Sequence, residues 1–131
     1  MTTWPLSTEL DLARRVLELH QARDPERFQI ALDLAVCDEQ VPPLLLLPLV
    51  ENAVTHGPAR GARGTIRIAV RATDPVEVEI RNPGRYAGPR AGGTGLASVH
   101  DRLALAWGQR GSLVVRGEGE ETIATVRWPR A

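Results

Sequence analysis

The chain has 131 residues, with 16 basic and 16 acidic side chains and no formal net charge, and 43% of it is hydrophobic. That length fits one domain, and that composition argues against disorder. Neutrality excludes bulk electrostatic capture of nucleic acid or an anionic membrane. All 16 cations are arginine, which excludes Schiff-base chemistry, a catalytic lysine and any phosphate loop built on a lysine.

In chain order, Ser7 or Thr8 can cap a first helix running to about Gln21. Its apolar residues Leu10, Ala13, Val16 and Leu17 follow helical spacing. Arg23-Asp24-Pro25-Glu26 is a turn. Phe28, Ile30, Leu32 and Leu34 alternate with polar or small residues, the pattern of a half-buried strand. Val41-Pro42-Pro43 opens a second helix, since proline suits a first helical turn. The run from Leu44 to Val50 is apolar nearly all round, so this helix is expected to be buried. Pro48 inside it requires either a kink or a helix N-terminus, and the sequence leaves both open. The helix stops near Gly57-Pro58. Ile66, Ile68, Val70 and then Val76, Val78, Ile80 form a hairpin around Thr73-Asp74-Pro75. A long glycine-rich loop spans Asn82 to Gly95. A third helix runs from Leu96 to about Trp107, and a closing strand pair turns around Gly117-Glu118-Gly119. Strands at short spacing imply a largely antiparallel sheet with helices on one face.

Other features bound the environment. Cys37 is the lone cysteine, so no internal disulfide is possible and a reducing compartment is expected. His20, His56 and His100 have no metal-ligand spacing. The apolar runs fall short of the ~18 residues of a membrane span. Residues 1–5 have neither a basic region nor an apolar signal core, so the chain is expected to be soluble.

Three segments carry chemistry. In Leu49-Val50-Glu51-Asn52-Ala53-Val54-Thr55-His56, a carboxylate and a carboxamide end a run that should be buried. Helical spacing puts Asn52, Thr55 and His56 on one face. These groups suit a hard cation or a phosphate, or simply partner nearby backbone. In Gly92-Gly93-Thr94-Gly95, glycines precede a helix, where backbone N–H groups and the helix dipole favour an anion. The third segment, Ile80-Arg81-Asn82-Pro83-Gly84, ends a strand in a polar residue and a turn. A dinucleotide fingerprint is disfavoured, because its third glycine would fall at Ser98 and the glycines follow a loop rather than a strand.

Taken together, these segments resemble the nucleotide-binding domain of the GHKL ATPase superfamily, and most closely the catalytic domain of LytS-type sensor histidine kinases. The resemblance runs from about Leu10 to Trp128. Its N-box part is Val41-Pro42-Pro43-Leu44-Leu45-Leu46, Pro48-Leu49-Val50-Glu51-Asn52-Ala53 and His56-Gly57. Its G2-box part is Gly93-Thr94-Gly95-Leu96, followed by Val99 and Arg102-Leu103. It implies a Bergerat fold, an α+β two-layer sandwich whose mixed, mostly antiparallel sheet is covered on one face by about three helices. It also implies that residues 1–131 are a single ATP-binding domain. In that domain Asn52 coordinates Mg²⁺ on ATP, Glu51 orients a water or metal-bound group, and Thr55 and His56 lie along the phosphates or ribose. Asn82 stands where the family reads the adenine amino group, Gly84 passes close to the base, and Gly93, Thr94, Gly95 and Leu96 meet the phosphates. The loop from Pro83 to Gly92 is then a lid, with Arg85 or Arg90 as candidate lid charges.

The implied function is that of a two-component kinase domain, presenting the γ-phosphate to a histidine on a dimerisation domain and acting indirectly on a response regulator. A cytoplasmic location follows, with no nucleic acid and no direct membrane contact. Two alternatives use the same fold: a stand-alone anti-sigma-type serine kinase, and a degenerate nucleotide-binding or docking module. Several positions depart from the pattern. Asn82 replaces an aspartate, and a neutral amide is the weaker acceptor, so weaker or less adenine-selective binding is expected. Tyr86 stands at a glycine position, Thr55 at a basic one and Leu47 at a polar one, and no F box is found. A Pro-His-Phe phosphoacceptor motif is also missing; His20 is expected to be an ordinary surface or half-buried helical histidine and His100 an exposed one.

Overall fold

The computed structural model describes residues 2–58, 61–88 and 94–131, apart from the side chains of Thr94 and Gly95. The elements are β1 (Trp4–Pro5), α1 (Leu6–Arg23), β2 (Phe28–Leu34), β3 (Gln40–Val41), α2 (Leu47–Thr55), β4 (Gly64–Arg71), β5 (Val76–Pro83), α3 (Thr94–Trp107), a 3-10 turn (Gly108–Arg110), β6 (Ser112–Glu118) and β7 (Glu121–Trp128). Five strands form one sheet in the order β2-β4-β5-β7-β6. β2 runs parallel to β4, and the other neighbours are antiparallel. β1 and β3 pair separately. The mixed, mostly antiparallel α+β architecture expected from the sequence is the one observed. No described helix is long and apolar enough to cross a membrane.

The core forms where two periodicities meet. Every second residue of the central strands (Ile66, Ile68 and Val70; Val76, Val78 and Ile80) turns to one face. There they meet helical stripes from α1 (Ala13, Leu17), α2 (Leu49, Val50, Ala53) and α3 (Val99, Leu103). Trp107 at the end of α3 stacks on the buried Trp128 with ring centroids 5.2 Å apart, within the favourable range for aromatic pairs. The opposite face is charged. Arg81 reaches Glu121 at 3.1 Å and Glu79 at 3.4 Å, and Arg127 reaches Glu77 at 2.6 Å. Ile123 is fully buried on this polar face. Its cross-strand neighbours are Arg81 and Arg116, whose aliphatic stems can cover it.

Several sequence expectations are corrected. α1 starts at Leu6 after Pro5, with no side-chain cap, rather than at Ser7 or Thr8. The chain enters it from β1, and the Leu6 N–H donates to the Glu39 carbonyl at 2.8 Å, so the cap is backbone from elsewhere. α2 does not begin at Val41-Pro42-Pro43. Val41 lies in β3, and Leu44 adopts φ 64°, a left-handed conformation that no helix continues through. Pro48 sits in the first turn of α2, which settles the open choice in favour of a helix start. α2 is one-sided rather than buried all round: Leu49, Val50, Ala53 and Val54 are buried while Glu51 and Thr55 are exposed. β5 continues through Pro83, so Asn82 is a strand residue paired with Thr122 and not the start of the loop. α3 begins at Thr94, before the expected Leu96. β1 and β3 were not foreseen, because two-residue strands show no period.

The start of α2 is held by a side chain from α1. Glu9 is 1% exposed. Its Oε1 accepts from Leu44 N and the Trp4 indole at 2.8 Å each, and its Oε2 accepts from Leu46 N at 2.9 Å and Leu47 N at 3.2 Å. Those backbone N–H groups have no partner within the helix itself.

Candidate functional site

The sheet and helix layers meet where the ends of β5 and α2 come together. Asn82, 5% exposed, is the last polar residue of β5, and its Nδ2 donates to the Pro83 carbonyl at 2.8 Å. Facing it is Gly57, just beyond α2. A Cβ there would lie 2.3 Å from the Pro83 oxygen and 2.9 Å from Asn82 Nδ2, so only glycine lets the two segments approach this closely. Gly84 makes the reciprocal contact. It has φ 119°, and a Cβ on it would lie 3.0 Å from the His56 carbonyl. The start of the glycine-rich loop is pinned to the opposite hairpin. Gly84 N donates to the Glu120 carbonyl at 2.8 Å, and Thr122 Oγ1 donates to the Gly84 carbonyl at 2.9 Å.

α2 aligns the remaining groups. Its buried stripe faces the sheet, which leaves Asn52 and His56 half-buried along one side and Glu51 and Thr55 exposed. The expectation that Glu51 ends a buried run is therefore corrected: its side chain is 49% exposed and lies 3.5 Å from His20 Nε2 on α1. The three-and-four spacing does place Asn52, Thr55 and His56 on adjoining sides of one helix. His56 caps α2, its N–H donating to the Asn52 carbonyl at 2.8 Å. His20 is a half-buried helical histidine, as expected, with its Nε2 3.5 Å from Glu51, and His100 is exposed.

The glycine segment is described only in part. Gly93, Gly92 and Arg90 lie outside the described residues, as do the side chains of Thr94 and Gly95. Thr94 opens α3, and Leu96, half-buried, packs against the core. Arg102 reaches back to the Ser98 hydroxyl and carbonyl. Arg85 forms a surface pair with Glu120 at 3.4 Å, both largely exposed. Tyr86 lies across Gly117, where a Cβ would come within 3.0 Å of its own. Gly57 and Gly117 are the positions that sequence reasoning did not place at the site. Gly57 was visible as a helix stop with Pro58 and as the end of the N-box pattern, but neither signal shows its contact with Asn82 and Pro83.

The electrostatics beside the site belong to the other sheet face. Arg81 precedes Asn82 yet points away from it, and its hydrogen bond to Glu121, with Glu79 and Glu118 nearby, holds it further protonated than usual. Oxygen groups dominate the site itself: the Asn52 and Asn82 carboxamides, the Glu51 carboxylate and the Thr55 hydroxyl. Of these, the Asn52 carboxamide, half-buried on α2, is the kind of oxygen donor that suits a hard cation keeping its other positions for phosphate and water. No cluster of three or more His, Cys, Asp or Glu able to hold a metal occurs among the described residues.

This sheet order, with three helices on one face and a polar site between α2 and β5, is the fold of histidine kinase catalytic domains. The histidine kinase AdeS of Acinetobacter baumannii superposes with a TM-score of 0.76 at 17% identity, over 98% of this chain and 66% of that one. Full-length ShkA in complex with AMPPNP superposes with a TM-score of 0.70 at 25% identity, over all of this chain and 32% of that one. By sequence the chain is a homologue of LytS-type sensor histidine kinases. It is 30% identical over 132 residues to the sensor protein LytS of Enterococcus faecalis, which covers 87% of this chain and 22% of LytS. The chain thus spans about a fifth of the curated relative's length. No family model matches the chain.

Proposed function

We propose that residues 1–131 are the ATP-binding catalytic domain of a two-component sensor histidine kinase, working in the cytoplasm. The observation that supports this most is the backbone contact between Gly57 and the Asn82-Pro83 carbonyl region, which brings a base-reading amide beside the helix that carries Asn52. Asn82 and Gly84 receive the adenine. Thr55 and His56 lie along the phosphates or ribose. Thr94, Gly95 and Leu96 at the start of α3 offer backbone N–H groups and a helix dipole to the phosphates, and the resemblance gives Gly93 the same role. Asn52 would hold Mg²⁺, which when bound neutralises phosphate charge. Glu51, exposed beside it and paired with His20, orients the groups around the phosphates. The γ-phosphate passes to a histidine on a dimerisation domain, and a response regulator acts downstream. Such transfer depends mainly on positioning and charge stabilisation.

Calorimetric titration of AMP-PNP, with and without Mg²⁺, tests this on the wild type and Asn52→Ala. The expected result is magnesium-dependent binding that the variant loses. No binding at millimolar analogue would leave a docking module instead.

A further inference from the structure

The sheet has an open edge at β2, which pairs with β4 on one side and with no described strand on the other. Ala35 N donates to the Val70 carbonyl at 3.2 Å. Successive residues of a strand turn their backbone groups to opposite sides. Ala31, Asp33 and Ala35 therefore face β4, while Ile30, Leu32 and Leu34 turn their N–H and C=O groups outward. The Phe28 carbonyl belongs to the outward set, and Gln21 Nε2 donates to it at 3.0 Å. Among the described residues, no group pairs with the outward backbone of Ile30, Leu32 or Leu34.

The side chains of this edge are equally unmet. Ile30, Leu32 and Leu34 lie in register with the buried Ile66, Ile68 and Val70, yet Leu32 and Leu34 remain 37% and 39% exposed. Edges are commonly guarded by proline, a bulge or several charges; between Ile30 and Leu34 the one charge is Asp33. On the other face of the sheet, Arg67 stands beside Ala31. Arg67 and Asp33 are exposed, and neither joins an ion pair among the described residues.

We propose that the β2 edge is a self-association surface, which pairs antiparallel with β2 of a second copy about a two-fold axis at Leu32. Leu32 then faces Leu32 of the second copy, and Ile30 faces its Leu34. These are the outward-turned residues, so each facing pair exchanges both hydrogen bonds. The neighbouring registers are worse. A shift by one residue sets outward groups against inward ones. An axis at Ala31 needs the Phe28 carbonyl that Gln21 holds, and an axis at Asp33 sets two carboxylates face to face. With the axis at Leu32, Asp33 faces the small Ala31 of the second copy. Arg67 of the second copy lies one strand further on, about 10 Å from Asp33 in backbone spacing, and the two side chains close that span over the alanine. On the helix-covered face, Ile30, Leu32 and Leu34 of both copies form one apolar stripe. The contact is a single short strand pair, smaller than a stable dimer buries, so the association is weak and concentration-dependent. β4 separates this edge from β5 and Asn82, so the proposal stands apart from the nucleotide reading.

Sedimentation equilibrium on the wild-type chain, from about 10 μM to about 1 mM, tests the association. The mass should rise from 14.3 kDa toward twice that value and stop there, because a two-fold pairing is closed. A chain that stays monomeric throughout, or grows past a dimer, overturns the proposal. Amide hydrogen exchange at the two concentrations locates the contact. Ile30, Leu32 and Leu34 should exchange at least about three-fold more slowly at the higher one, while Ala31 and Asp33, already bonded to β4, should not change. Slowing confined to β6, the other edge of the sheet, also overturns it. The register has its own test in two exposed side chains. Asp33→Lys should weaken dimerisation by about five-fold or more, and adding Arg67→Glu should restore it, since the swapped charges meet across the copies. Circular dichroism checks that both variants are folded. A double variant that dimerises no better than Asp33→Lys overturns the register about Leu32.

Discussion

At Gly57 a single methyl group is enough to disturb the site. Gly57→Ala would put a carbon 2.3 Å from the Pro83 oxygen and 2.9 Å from the Ala53 oxygen. Both obstacles are backbone, so the strands and helix must separate slightly. We expect a loss of about 1–3 kcal/mol, the usual range for overpacking, together with weaker adenine-analogue binding, because the displaced carbonyl is the one that holds Asn82. Denaturant titration and calorimetry on Gly57→Ala check both. Cys37 gives a second test on an isolated side chain. Partial burial, and then the charge of Glu39, push its thiol above the ordinary value of 9.0. The thiolate is the nucleophile, so iodoacetamide should label Cys37 more slowly at neutral pH than it labels a free cysteine, and the rate should climb as pH passes 9.0. Asn52, Thr55 and His56 were legible in the sequence because helical spacing alone puts them together. The Asn82–Gly57 contact was not, because it joins residues that are distant along the chain.

Between elements, the decisive interaction is the one Glu9 makes. Four N–H donors converge on its two oxygens, so α1 supplies the cap that α2 lacks in its own sequence. Glu9→Ala would strand the buried Leu46 N–H and three partly buried donors, at a cost of about 2–4 kcal/mol. Glu9→Gln should recover only part of this, since its NH₂ end would face donors rather than accept from them. Chemical unfolding followed by far-UV circular dichroism distinguishes the two variants. Because α2 carries Asn52, both variants should also weaken nucleotide binding. From sequence, Glu9 looked like one more charge in the first turn of an amphipathic helix. What made it structural is Leu44, whose left-handed backbone turns the amides of Leu44, Leu46 and Leu47 toward it.

On the scale of the whole molecule, surface charge sets the response to acid. Hydrogen bonding to Arg14, with Arg15 nearby, holds the Asp11 carboxyl below its usual range, and Arg116 with Arg81 does the same for Glu118. For carboxyls lowered in the folded state, the contribution to stability is complete above the unfolded values of 3.8 and 4.5 and fades as pH falls below them. Unfolding scans from neutral to acid pH should therefore show melting temperature falling at the acid end. The fall should be small, and smaller still in high salt, because both groups are exposed. Arg81→Ala should shift the Glu118 part of this fall toward its ordinary range.

The sequence by itself determined the layers. Alternating β-branched residues in β4 and β5 and helical stripes in α1 and α3 are local patterns, each dictated by how successive side chains project from one element. It also determined the N-box and glycine-rich segments and the kinase-like resemblance they support. Only the tertiary structure decided where α2 begins, that Glu51 is exposed and faces His20, and which way the Asn82 amide points. Those outcomes depend on a carboxylate from another helix, a histidine from α1 and a carbonyl wedged against glycine. Such groups are far apart in the chain, and no periodicity within a single element encodes their meeting.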